Sequence, residues 1–267
     1  MIFADAVQQL ETSLRSELPG PDAQARLAPI PRRQWPAGFN PARIRPAAGL
    51  LLVFPKPIDA KPASFDKPVL SETRTLRPAQ RERRVEGLRM SAHGEPDERM
   101  RASRPLRSSS GDAHVVLTVR ADSLGRHSGQ VSLPGGGLEP GETIEQAALR
   151  EAHEEIGLPL DHVHVLGALT PLDIPVSGFR LHPIVAVSGA RAALTPSDGE
   201  VARILEVDLD ELLAPERLVS IERQRDGRTM IVPAFHAGGE EIWGATAMVL
   251  AEFLTLLGWV PPSSRSQ

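Results

Sequence analysis

The hydrophobic positions change period several times along the chain, and each change marks a predicted element. Phe3, Val7, Leu10 and Leu14 recur at spacings of three and four, which predicts a helix over residues 3–17. Pro19 and Gly20 end it, and a linker punctuated by Pro29, Pro31 and Pro36 follows. Residues 47–54 (AAGLLLVF) form a continuous apolar run of strand length, expected to be buried. The pattern then breaks. Proline, serine and charge dominate to residue 112 with no period, which reads as a long loop or partly disordered insert at about 56–112. Strand character resumes at His114–Arg120 (HVVLTVR), and a glycine-rich turn leads into a helix over 144–156. Strands are expected at 162–169, 181–187, 202–207 and 229–236, with a short helix over 208–213. A last helix over 245–257 places Met248, Val249, Phe253 and Leu256 on its apolar side. This order predicts an α/β (α+β layered) domain, a mixed β-sheet sandwiched between helices. It spans 44–258 around the insert, after an N-terminal helical extension and linker (1–43) and before a tail (259–267).

Composition narrows the classes. The 267 residues, 41% of them hydrophobic, suffice for a core that needs no staples. There are no cysteines, so disulfides, thiolate nucleophiles and cysteine-bound zinc are excluded. The net charge of -4 argues against nucleic acid as a partner. The charge is unevenly spread, because residues 56–107 hold 13 Lys or Arg against 8 Asp or Glu. A nucleic-acid-contacting arm is the minor reading of that stretch, and its grip would weaken steeply with salt. No apolar run approaches the roughly 20 residues that span a bilayer. The first residues also lack the basic and apolar regions of a signal peptide. The expectation is a soluble cytoplasmic protein with no membrane partner.

The chemistry concentrates after Pro134. Glycines 135–137 allow a tight turn and close approach to a ligand. Thr143 and Gln146 make a capping box for the helix, and Gly157 stands where a glycine stop belongs. At ~100° per residue, Glu151, Glu154 and Glu155 fall within an arc of about 100°. Three carboxylates on one helix face repel each other. A hard divalent cation with oxygen ligands would offset that repulsion. With neither cysteine nor a histidine pair nearby, Mg2+ or Mn2+ fits better than zinc. Read alone, the same face is a solvated acidic surface.

The spacing Gly136-x5-Glu142-x7-Arg150-Glu151-Ala152-His153-Glu154-Glu155-Ile156-Gly157-Leu158 resembles the box of the Nudix hydrolase family, with no departure at a defining position. The resemblance implies the Nudix fold and a metal-dependent pyrophosphohydrolase. It implies that Glu151, Glu154 and Glu155 bind the metal. Arg150 would orient these carboxylates, with Glu142 supporting. The base that takes the water's proton is open between Glu200, in Asp198-Gly199-Glu200-Val201, and Glu154.

The segment Leu117–Gly136 resembles the accessory motif of the coenzyme A pyrophosphatase branch of the family. Two positions depart: Leu133 stands where the branch usually has phenylalanine, and Gly125 where it usually has arginine, with Arg126 next door. Ser177-Gly178-Phe179, Pro183, Glu200-Val201 and Ile242–Ala247 are also similar to that branch. The resemblance implies a small-molecule substrate, coenzyme A or acyl-coenzyme A, cut to 3′,5′-ADP and 4′-phosphopantetheine. It puts substrate contacts at Arg120, Arg126, Gly129, Gly135 and Gly136. The rival readings are a Nudix enzyme for ADP-ribose, a dinucleotide or a damaged nucleotide, and a Nudix module that binds without turnover. A homodimer is left open.

Overall fold

The computed structural model describes residues 1–56, 111–121, 129–225 and 227–261. The expected insert lies outside the described residues except at its ends. Arg126 and Gly125 lie outside them as well.

Eight strands form one mixed sheet among the described residues. Its centre is β1 (Arg45–Lys56), which runs parallel to β7 (Phe179–Ser188) and antiparallel to β2 (Asp112–Arg120). β3 (Val131–Ser132) and β8 (Val201–Asp208) pair with β2. β5 (Val163–Ala168) and β6 (Leu172–Ile174) pair with β7. β4 (Gly135–Gly137) pairs with β1 at Ala47–Gly49. A second sheet joins β9 (Leu218–Arg225), β10 (Arg228–Ala237) and β11 (Glu240–Trp243).

Because β1 is buried on both faces, its sequence reads as an apolar run rather than an alternation. Successive side chains nevertheless go to opposite layers. Ala48, Leu50, Leu52 and Phe54 pack with Ala147, Ala148, Ala152 and Ile156 of α3 (Ile144–Ile156). Three small alanines let that helix lie close against the sheet. Leu51 and Val53 face the other core, with Phe3, Val7 and Leu10 of α1 (Phe3–Ser13) and Val249 and Phe253 of α5 (Ala245–Leu256). α4 (Leu209–Leu213) sits between the sheets and is capped by Asp208, whose side chain accepts from Asp210 N at 2.9 Å.

The expected elements are found with shifted ends, and several boundaries are corrected. α1 stops at Ser13, where Leu14 caps it, rather than at residue 17. The segment read as a linker contains a helix, α2 (Gly20–Ala25). Lys56 and Asp112, read as insert, are paired strand residues. The first residue read as tail, Trp259, is 4% exposed and belongs to the core.

α2 is held by a fully buried carboxylate. Glu252 of α5 accepts from Gly20 N at 3.3 Å, Gln24 Nε2 at 2.8 Å and Thr170 N at 3.2 Å. A buried carboxylate is tolerated when donors satisfy it, and these three come from two separate segments. No helix among the described residues is long and apolar enough to cross a membrane.

Candidate functional site

Helix α3 begins and ends as its sequence dictates. Thr143 Oγ1 accepts from Gln146 N at 3.2 Å, and Gln146 Oε1 accepts from Thr143 N at 2.9 Å. Gly157 takes the left-handed conformation (φ 64°) that stops the helix. The glycines expected as a turn instead form the short strand β4, paired with β1, and Gly135 and Gly136 meet the carboxylate face of this helix directly.

Arg150 is the hub. Its Nε and Nη2 donate to the two oxygens of Glu142, at 2.9 and 3.1 Å. Nη1 donates to Glu151 Oε1 and Glu154 Oε2, both at 3.0 Å, and Nη2 also donates to Gly137 O at 3.0 Å. A planar fork of five N–H groups can serve all of these at once, which an ammonium cannot. Glu142 also accepts from Glu139 N at 3.0 Å. The Arg150 bond holds the Glu142 carboxyl below the usual range, and Glu142 in turn keeps Arg150 firmly protonated.

Two carboxylates lie deeper. Glu155 is 8% exposed and accepts from Gly135 N at 3.0 Å. Burial pushes its pKa up to about 7. The Gly135 bond and Arg120 oppose that rise, while Glu151 and Glu200 add to it. Burial also raises Glu151, against the pull of Arg150 and with the push of Glu154 and Glu200. Glu151 lies against Gly136 so closely that a Cβ there would come within 2.5 Å of its Cδ. A side chain at Gly136 would therefore have to displace the Glu151 carboxylate.

Glu200 and Arg120 come to the cluster from other elements. Glu200 is exposed, and its loop is tied down at both ends. Ser197 N donates to Glu155 O at 2.8 Å, and Ala121 N donates to Glu200 O at 2.9 Å. Gly129 is next to Arg120, donating from its N–H to Arg120 O at 3.0 Å.

The structure thus brings together Glu142, Arg150, Glu151, Glu154, Glu155, Glu200, Arg120, Gly135 and Gly136. Gly129 stands beside them through Arg120. Among the described residues, no three His, Cys, Asp or Glu side chains are gathered as a ready metal-binding group. Each of the three helix carboxylates is engaged: Glu151 and Glu154 share Arg150, and Glu155 takes Gly135 N. The donor chemistry still fits a hard divalent cation. It is all carboxylate oxygen, and burial raises two of its members, Glu151 and Glu155. Sequence reasoning missed the backbone partners Gly135 N, Gly137 O and Glu139 N. The glycine run was the only trace of the first two, and Glu139 left none, because a backbone atom leaves no mark in residue identity.

The profile described as NUDIX domain matches residues 99–225. An "Uncharacterized Nudix hydrolase NudL" of Pectobacterium atrosepticum is 37% identical over 137 residues, covering 51% of this chain and 71% of that protein. The chain belongs to the Nudix hydrolase family. A NudL of Yersinia pestis is 39% identical over 137 residues, 51% of this chain and 68% of that protein. Among solved structures, a Nudix hydrolase from M. smegmatis, RenU, matches with a TM-score of 0.45 and 19% identity. That match covers 83% of this chain and 90% of the other. As a Nudix hydrolase the chain acts on diphosphate bonds, and hydrolases of this family generally use divalent metal ions.

Proposed function

We propose that this Nudix hydrolase cuts the diphosphate linkage of coenzyme A or its thioesters, releasing 3′,5′-ADP and 4′-phosphopantetheine. The observation that carries the reading is the placement of the described residues within 117–136, the stretch that resembles the coenzyme A branch. Leu117–Arg120 lie in β2, Val131–Ser132 in β3 and Gly135–Gly136 in β4, whose Gly135 N–H meets Glu155 of the carboxylate cluster. Arg120, within that stretch, acts on Glu155.

Water attacks one phosphorus of the diphosphate. The P–O bond to the bridging oxygen breaks, and the leaving phosphate carries that oxygen away. Glu151, Glu154 and Glu155 would hold Mg2+ or Mn2+, which when bound neutralises phosphate charge and makes water more nucleophilic. Glu200 takes the proton from the attacking water. Its loop, tied to α3 at Glu155 O, can hold it over the cluster, whereas the competing base Glu154 is engaged by Arg150. Arg150 keeps the carboxylates in register, with Glu142 bracing it from behind. Arg120 and Arg126 contact substrate phosphates. Gly129, Gly135 and Gly136 let the backbone approach them. The absence of cysteines suits the reducing cytoplasm, where we place the protein.

Chromatography of products tests the reading. Purified protein with Mg2+ is offered coenzyme A, ADP-ribose and a nucleoside triphosphate in parallel. Release of 3′,5′-ADP faster than cleavage of the others is expected. Cleavage of ADP-ribose alone would keep the chemistry and replace the substrate.

A further inference from the structure

The carboxylate helix and glycine turn serve the diphosphate of a substrate, and a nucleotide also has a ring to seat. The sheet end beside the turn offers a place for it. Ala47 of β1 pairs with Gly137 on one side and with Leu181 of β7 on the other. Arg45 lies two residues back along β1, about 7 Å away, opposite Phe179. Alternate strand residues share a face, so Arg45 and Ala47 point the same way, as do Phe179 and Leu181.

The Arg45 guanidinium sits over the Phe179 ring, 4.0 Å from its centroid. Arg45 Nη2 donates to Ser177 O at 3.2 Å, which fixes the plane of the fork. The backbone beneath is also fixed. Arg45 N donates to Gly178 O at 3.0 Å, and Gly178 N to Ile174 O at 3.0 Å. Phe179, Leu181 and Ile174 are half-buried here, while Val185 further along the same face of β7 is fully buried. The apolar layer is therefore open at this end. Arg45 is exposed, so a second ring can reach the guanidinium face turned away from Phe179.

We propose that Arg45 and Phe179 form a stacking shelf for the nucleobase of the substrate. The inference rests on the reading of the substrate as a nucleotide diphosphate and names the part of the site that recognises its base. A planar cation stacked on a ring attracts the π-face of a purine, and Phe179 holds that cation flat. Ser177-Gly178-Phe179, a segment the diphosphate chemistry leaves without a role, supplies both the carbonyl that orients Arg45 and the ring beneath it.

Isothermal titration of the metal-free full chain with 3′,5′-ADP and with AMP tests this. Arg45→Ala is expected to weaken both ligands about tenfold, the scale of one base-stacking contact. Arg45→Lys should lose as much, because an ammonium has no plane to stack. Phe179→Leu should shift binding in the same direction. Each variant should melt within about 3 °C of the parent, which separates lost binding from lost fold. Full rescue by Arg45→Lys reduces the contact to charge and overturns the shelf. So does an unchanged Arg45→Ala, or a parent protein that binds neither ligand. If coenzyme A is not cleaved but AMP binding still depends on Arg45, the coenzyme A reading fails and the shelf stands.

Discussion

Glu155 shows how one residue can serve a site at the expense of the fold. Burial raises its pKa to about 7, so the folded, metal-free protein holds a proton there that the unfolded chain releases near pH 4.5. Between those values the folded state binds more protons than the unfolded state. Stability therefore falls as pH rises from about 4.5 to 7 and is level beyond. Urea unfolding of the metal-free protein at pH 5 and pH 8 should show that fall, and Glu155→Gln should flatten it. A variant that retains the full slope would move the buried proton to another group. The same substitution should cut turnover at least about a hundredfold, since a neutral amide is a poor ligand for a hard cation. Gly136 makes a complementary case. A methyl at this position meets the Glu151 carboxylate, the far end of a flexible side chain, so Gly136→Ala should fold normally. It should still lose about tenfold or more in kcat, because a shift of an ångström in a catalytic group has effects of that order. Matched melting curves with unmatched rates are the expected result; equal rates would mean Glu151 can move without consequence.

At the scale of elements, legibility followed length and period. α3 was readable from end to end because its start, stop and carboxylate face are all local signals, and it spans Ile144–Ile156 as expected. β1, β2, β7, β8, β10 and α5 carry enough apolar positions to be seen as well. β3, β4, β6 and β11 have two to four residues each, too few for any period, and β9 (LVSIERQR) went unread because only three of its eight residues are apolar. β4 is moreover three glycines, a composition with no strand preference, and it exists because β1 offers a partner. The site was legible where it lies on α3. The contacts of Glu200 and Arg120 depend on a loop and a strand end brought to α3 from elsewhere in the chain. α2 was hidden for a related reason. Its six residues follow Pro19, and its anchor, Glu252, is 228 residues away from Gln24. Removing that anchor should be costly. Glu252→Ala leaves the Gly20 and Thr170 N–H groups buried without an acceptor, and a loss of about 3 kcal/mol in chemical denaturation is expected. Hydrogen exchange should quicken at Gly20 and Thr170 in that variant. Unchanged protection at both would mean that packing alone holds α2.

For the whole molecule, the decisive feature is where β1 leaves the sheet and β2 re-enters it. Lys56 pairs with Asp112 in antiparallel register, and Phe3 N bonds Gly111 O at 3.0 Å, so both strand ends are fixed by described residues. Two antiparallel neighbours can be joined by a turn of a few residues, and loop-closure entropy grows only slowly with length. The fold therefore does not depend on the number of residues between them. Replacing residues 58–109 by a four-residue turn should leave the melting temperature within about 5 °C of the parent. We expect coenzyme A hydrolysis to survive as well, since every residue assigned to the carboxylate cluster lies outside that stretch. The replacement also removes most of the local positive excess, which makes it a test of the arm reading. RNA binding that disappears with the stretch, together with its salt dependence, would show that these charges grip phosphates. A folded variant that has lost hydrolysis would instead put part of the substrate's contact surface in the replaced residues. Retained fold and retained rate would confine the enzyme to the sheet, α3 and the helices that cover them.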